Sequence, residues 1–133
     1  GTPASVQAIG MAEGLNYMQK IGFDNIMAHE HMLEQYMLSQ LQTVPNLKIV
    51  GPKTNRGGVF SFAVEGIHPQ DLAFVLNKEN VSIRSGHHCA QPIVNKMGYT
   101  SLARASIGIY NTKEDIDALV NALIKAVRFF REK

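Results

Sequence analysis

The spacing of the apolar residues changes twice along this chain, and those changes constrain the fold more than any other feature. In the first third, apolar residues recur every three to four positions, which predicts helices over about residues 4–20 and 23–44. Phe60, Phe62 and Val64 then alternate with other residues, as in a strand with one buried face. A helical period returns after Thr112. The chain therefore combines helices with strands.

The intervening segments complete an α/β pattern. Short apolar runs and alternation predict strands over residues 47–50, 59–64, 81–84 and 102–107. Helical segments are expected over residues 69–77 and 93–97, the first opened by a proline at its first position. Thr112 with Asp115 forms the pattern of a capping box before the last helix. The order predicts a small mixed or antiparallel sheet covered by helices.

The first helix carries an apolar stripe, for which packing in the core is the ordinary explanation. Its members recur at spacings of three: Val6, Ile9, Ala12, Leu15 and Met18. A chain of 133 residues, 45% of them hydrophobic, is long enough to bury one ordinary core. We therefore expect residues 1–133 to form a single domain.

Composition limits which binding partners and which cellular compartment can be expected. A formal net charge of +2, with acidic and basic residues interspersed, gives no reason to expect binding to nucleic acid or to an anionic membrane. No apolar run approaches the roughly 20 residues that span a bilayer, and no signal peptide is visible. The single cysteine excludes an internal disulfide and fits a reducing compartment. We expect a cytoplasmic protein, or one of an organelle matrix.

The chemistry is concentrated in the stretch RSGHHCAQP, residues 84–92. Cys89 directly follows His87 and His88, and Gly86 with Pro92 predicts a loop around them. A thiol in such a loop can be exposed, and neighbouring imidazoles can take its proton or favour its thiolate. Two other interpretations compete: a buried cysteine that serves as a small hydrophobe, and a zinc ligand. Zinc is not expected, because no second cluster with ligand spacing exists.

Arg104 is the second candidate, because it stands between Ala103 and Ala105 in a predicted strand. Burying a charge without a partner is costly. The side chain is therefore explained equally well by an internal ion pair or by a carboxylate ligand that its planar fork would bind.

Several stretches resemble a known family. RSGHHCAQP and SLARASIGIYNT (residues 101–112), with GTPASVQAIG (1–10) and IGFDNIMAHEHMLEQY (21–36), resemble the C-terminal part of group II cysteine desulfurases. These are the SUF-type and selenocysteine-lyase-like enzymes of the class V aminotransferase superfamily, which use pyridoxal phosphate (PLP). The resemblance implies a small C-terminal domain like that of fold-type I PLP enzymes, with residues 1–20 leading in from a larger domain.

The resemblance also implies roles. Cys89 would take sulfur from L-cysteine, leaving L-alanine and a persulfide that an acceptor protein uses in iron–sulfur cluster assembly. Arg104 would hold the substrate carboxylate, with Arg84 at the edge of the same site. Gly86, His87 and His88 would shape the loop, and Thr2 would help to bind the PLP phosphate of the partner subunit in a homodimer.

The Schiff-base lysine and most PLP contacts would come from outside this chain, so the chain alone is expected to be inactive. A selenocysteine lyase, which would act on L-selenocysteine, and a non-enzymatic sulfur carrier that uses Cys89 are alternatives. A Cys/His hydrolase is not favoured, because no well-placed Asp or Asn partner or oxyanion motif is visible.

Overall fold

The structure is a computed structural model that describes residues 1–52, 54 and 56–132, so Lys53, Asn55 and Lys133 lie outside the described residues. The elements in chain order are α1 (Ser5–Ile21), α2 (Phe23–Leu41), β1 (Leu47–Val50), β2 (Val59–Val64), α3 (Pro69–Lys78), β3 (Arg84–Gly86), α4 (Gln91–Lys96), β4 (Leu102–Ser106) and α5 (Lys113–Arg131). The predicted α/β class is confirmed.

The four strands form one antiparallel sheet in the order β1-β2-β4-β3. β2 and β4 are the central strands, with Phe62 opposite Ala103. β3 is a short edge strand, and its Arg84 lies opposite Arg104. The antiparallel form of the predicted sheet is therefore the one observed.

The core lies on one face of this sheet. Phe60 and Phe62 of β2 are fully buried there, together with Ala103 of β4. Helices α2, α3 and α5 cover them, with side chains such as Leu33 and Leu123 in the same cluster. The buried face predicted from the alternating apolar residues of β2 is therefore confirmed, because every second residue of the strand points away from the core.

The strand predicted at residues 81–84 is present before the cysteine loop, but its bounds are wrong, since pairing begins only at Arg84 and runs to Gly86. The N–H of Val81 donates to the carbonyl of Leu76, 3.1 Å away, at the end of α3. Val81 and Ile83 pack against the core without joining a strand. Their alternation thus reflects burial of two side chains and not a ladder of backbone hydrogen bonds.

The boundaries of the other helices and strands differ less from the predicted ones. β1 and β2 have their predicted bounds, whereas α2 ends at Leu41, because single-turn bonds from Thr43 and Val44 close it. α4 starts earlier than predicted, at Gln91, and β4 ends at Ser106. The capping box of α5 is confirmed: Asp115 accepts from the N–H of Thr112 at 3.0 Å.

The apolar stripe of α1 is not part of the core. None of the residues of α1 is buried, and the exposed fraction reaches 77% at Val6 and 67% at Ile9. α1 packs along α2 and leaves its own stripe to solvent in this chain. Packing within the chain therefore does not explain the stripe.

Among the residues described, no helix is both long and apolar enough to cross a membrane.

Candidate active site

The face of the sheet opposite the core carries a row of polar side chains. Arg104 on β4 has Ser61 of β2 opposite it on one side and Arg84 of β3 on the other. Directly opposed residues of an antiparallel sheet point to the same face. The three side chains therefore lie in one row, away from the helices that cover Phe60 and Phe62.

The chain leaves β3 through an unusual turn that carries Cys89. Gly86 has φ +120°, and both His88 (φ 55°) and Cys89 (φ 60°) occupy the left-handed region. The N–H of Ala90 donates to the carbonyl of His87 at 2.9 Å and closes the turn. Two central residues with positive φ define type I′ turns, which strongly prefer Asn-Gly. A histidine and a cysteine there store backbone strain, a feature that clusters at functional sites.

His88 fastens this turn to β4. Its Nε2 donates to the carbonyl of Leu102 at 3.0 Å, since a carbonyl can only accept. Nδ1 is buried without a hydrogen-bond partner among the described residues. Burial lowers the pKa of His88, and the positive charges of Arg104 and Arg84 lower it further, against the opposing effect of the Leu102 bond. The ring is therefore held neutral.

Two adjoining hollows open beside the turn, and we call them together the cationic cleft. One, of about 510 Å³, is lined by Arg104, Arg56, Ser61, His87 and His88 among others. The other, of about 480 Å³, is lined by Cys89 and Arg84 and shares His87 and His88. No Asp or Glu is among the described lining residues of either hollow. An arrangement of cations without carboxylates suits an anionic ligand.

Arg104 has no ion-pair partner among the described residues, and its Nε is buried without a hydrogen bond. The internal ion pair that would explain Arg104 structurally is therefore absent from the part of the chain that the structure describes. A half-buried guanidinium with an unused donor, in a cleft without carboxylates, favours the alternative of a bound carboxylate.

Cys89 is exposed. The interpretation of this residue as a buried hydrophobe is wrong. No group of three or more potential metal ligands occurs among the described residues. Cys89 and Arg84 line one hollow, Arg104 lines the other, and both histidines line the two. Thr2, in contrast, is exposed at the start of the chain and lines neither hollow.

Arg56 also lines the cleft, and the sequence analysis did not single it out. Its Nη2 donates to the carbonyls of Val50 at 3.4 Å and Val59 at 3.2 Å. Its guanidinium lies 4.6 Å from the ring centroid of Phe60. Burial lowers the pKa of Arg56, while the charge of Glu34 opposes that effect. An arginine directly before two glycines was the only available signal.

The sequence matches the aminotransferase class-V family over residues 1–119. The chain belongs to this family. It is 47% identical over 131 residues to a probable cysteine desulfurase of Staphylococcus epidermidis, covering 98% of this chain and 32% of the relative. The chain thus spans about a third of the length of the curated relatives it matches.

Solved structures of cysteine desulfurases have the same fold. A cysteine desulfurase of Thermococcus onnurineus superposes with a TM-score of 0.90 at 35% identity, covering 97% of this chain and 32% of that one. A cysteine desulfurase of Escherichia coli superposes with a TM-score of 0.88 at 29% identity, with the same coverage. The class V resemblance seen in the sequence is confirmed.

Proposed function

We propose that this chain is the C-terminal part of a group II, PLP-dependent cysteine desulfurase that transfers sulfur from L-cysteine to Cys89. The observation that carries the proposal is the position of Cys89. An exposed thiol stands on a strained turn beside a cleft whose unpartnered arginine can bind the carboxylate of an amino acid. The similarity to cysteine desulfurases over nearly the whole chain supports the substrate.

Arg104 would bind and orient the substrate. Its guanidinium presents donors in a planar fork that matches a carboxylate, and its Nε has no other partner among the described residues. Arg84 directly opposite adds a second positive charge at the same site. Two positive charges that face one ligand oxygen pair would select an anionic group over a neutral one.

Cys89 would act as the nucleophile. Its thiolate attacks the sulfur of bound L-cysteine, the new S–S bond forms, and the bond between the substrate Cβ and its sulfur breaks. The electron pair of that bond remains on the substrate carbon, which takes up a proton to give L-alanine. Cys89 is left as a persulfide, whose outer sulfur passes to a thiol of an acceptor protein.

PLP, when bound, supplies an electron sink for the substrate carbon. By the family resemblance, the covalent lysine would come from outside this chain, and no lysine is among the described lining residues of the cationic cleft. Thr2 has an exposed hydroxyl with no side-chain hydrogen bond among the described residues, which fits a contact to the PLP phosphate across a homodimer. The chain alone would then bind substrate weakly and turn nothing over.

The biological setting completes the proposal. The persulfide would serve iron–sulfur cluster assembly in the cytoplasm through a sulfur-acceptor protein. A selenocysteine lyase would use the same residues on L-selenocysteine, so it is an outcome of the test. A carrier without enzymatic activity would accept sulfur on Cys89 and would release no alanine.

The decisive experiment uses a full-length protein that carries this chain, with PLP and L-cysteine. Wild type should release alanine and form a persulfide within the tryptic peptide of residues 85–96, which contains Cys89. Cys89→Ser should keep PLP and lose persulfide. Alanine release by the Ser variant at the wild-type rate would remove the nucleophile assignment. Parallel assays with L-selenocysteine decide between the two chalcogens.

A further inference from the structure

We propose that His88 is a positioning residue that ties the Cys89 turn to strand β4 and thereby fixes the thiol relative to Arg104. The inference rests on the proposed function, in which Cys89 attacks a substrate whose carboxylate Arg104 holds. In this role, His88 holds the position of the turn through one hydrogen bond. It does not make the imidazole a proton carrier.

The turn itself cannot hold Cys89 firmly. Among the described residues, its own closing bond is the one from Ala90 to His87. Neither central residue is the glycine or asparagine that such a turn prefers, and a cysteine pays a steric penalty at positive φ. A strained turn persists only when surrounding contacts enforce it. The bond from His88 to the Leu102 carbonyl is a contact of this kind.

The position of the acceptor, the carbonyl of Leu102, decides what the His88 hydrogen bond holds in place. Leu102 is buried at the start of β4, opposite Gly86, and lies on the same strand as Arg104. β4 is a central strand, paired with β2 and β3 on its two sides. The bond therefore ties the thiol turn to the central strand that carries Arg104. His87 makes no comparable bond among the described residues and is exposed.

The charges around His88 favour one state of its ring. Nε2 must carry the proton, because the Leu102 carbonyl only accepts. A second proton would sit on buried Nδ1, which has no acceptor in the part of the chain that the structure describes. It would also add a charge beside Arg84 of β3, Arg104 of β4 and the neighbouring His87, in a cleft that Arg56 also lines. These surroundings favour the neutral ring with its proton on Nε2, the form that donates to Leu102.

Three substitutions in a full-length protein separate the hydrogen bond from the shape of the turn. His88→Gln keeps a donor near the place of Nε2. His88→Asn tolerates positive φ but is too short to reach the carbonyl. His88→Leu offers no donor, and its folding is checked by thermal unfolding beside the other two. We expect the Asn and Leu variants to lose roughly three- to ten-fold in kcat, the range of one net hydrogen bond, with KM for L-cysteine little changed. The Gln variant should recover most of the loss.

Wild-type kcat in His88→Asn would overturn the inference, because that variant keeps the turn and loses only the bond. A second readout is independent of activity. Nitrogen NMR of the imidazole should show the proton on Nε2, and the pKa of the ring should lie below its ordinary value because of burial. A neutral ring that carries its proton on Nδ1 would also overturn it, because Nε2 could then not donate to Leu102. If wild type releases no alanine, the proposed function fails, and the spectrum alone decides the role of His88.

Discussion

Arg84 and Arg104 lie directly opposite each other on neighbouring antiparallel strands, with both side chains on the face of the sheet that forms the cationic cleft. Like charges in this position destabilise a sheet. No carboxylate among the described lining residues compensates them. A pair that costs stability in the free chain is explained most simply by an anion that it binds.

Arg104→Ala should weaken catalysis without weakening the fold. Loss of a charge-assisted contact to the substrate carboxylate should lower kcat/KM for L-cysteine by about 1.5–3 kcal/mol in transition-state binding, roughly ten- to 150-fold. The thermal midpoint should stay the same or rise, because the repulsion from Arg84 is removed. Steady-state kinetics and thermal unfolding on one preparation test both claims. An unfolded variant with normal activity per folded molecule would favour a structural role.

Cys89→Gly should stabilise the chain although it removes the nucleophile. Glycine accepts φ 60° freely, whereas any residue with a Cβ pays for it. Cys89→Ala is the matched control, because it also loses the thiol but keeps the steric penalty. The Gly variant should exceed the Ala variant by about 1 kcal/mol in the free energy of unfolding, measured with urea. Equal stabilities would show that the turn is not strained.

Gly58→Ala should destabilise the sheet. A Cβ at residue 58 would lie 2.8 Å from the carbonyl oxygen of Ile107, a backbone atom that cannot move alone. The N–H of Ile107 also donates to Gly58 at 2.8 Å, so the two segments cannot separate without losing this bond. We expect a loss of about 1–3 kcal/mol in urea unfolding. Gly57→Ala faces open space and should cost much less; similar losses in both variants would contradict the steric explanation.

Acid should weaken the start of α5. The side chain of Asn111 and the backbone of Thr112 donate to Asp115 and lower its pKa below the ordinary 3.8. A carboxylate with a lowered folded-state pKa stabilises the fold above its unfolded pKa, and this contribution is lost as pH falls through the folded value. Asp115→Asn should therefore be less stable than wild type near pH 7, with the difference shrinking in strong acid. Parallel stability curves would contradict this.

Cys89 should react with iodoacetamide in the folded chain, because its side chain is exposed. It is the single cysteine, so one added mass identifies the product. Reaction only after denaturation would show that the thiol is closed off in solution.

The sequence by itself determined the features that depend on neighbouring residues. The alternation of Phe60, Phe62 and Val64 gave the bounds of β2 and its buried face. Thr112 and Asp115 marked the start of α5, because the capping contact joins two residues only three positions apart in sequence. Gly86 and Pro92 indicated a loop around Cys89, and family-like motifs indicated which residues belong together. These signals are local, so they can be read along the chain.

Only the tertiary structure decided the features that depend on residues far apart in sequence. Strand register places Arg84 against Arg104, and it places the Leu102 carbonyl within reach of His88. Val81 and Ile83 alternate like a strand, yet pairing starts at Arg84 because α3 holds the N–H of Val81. The left-handed conformation of Cys89 runs against the preference of its residue type. A tertiary contact such as the hydrogen bond from His88 to Leu102 can outweigh this local preference. Its free energy is comparable to the backbone strain that it holds in place.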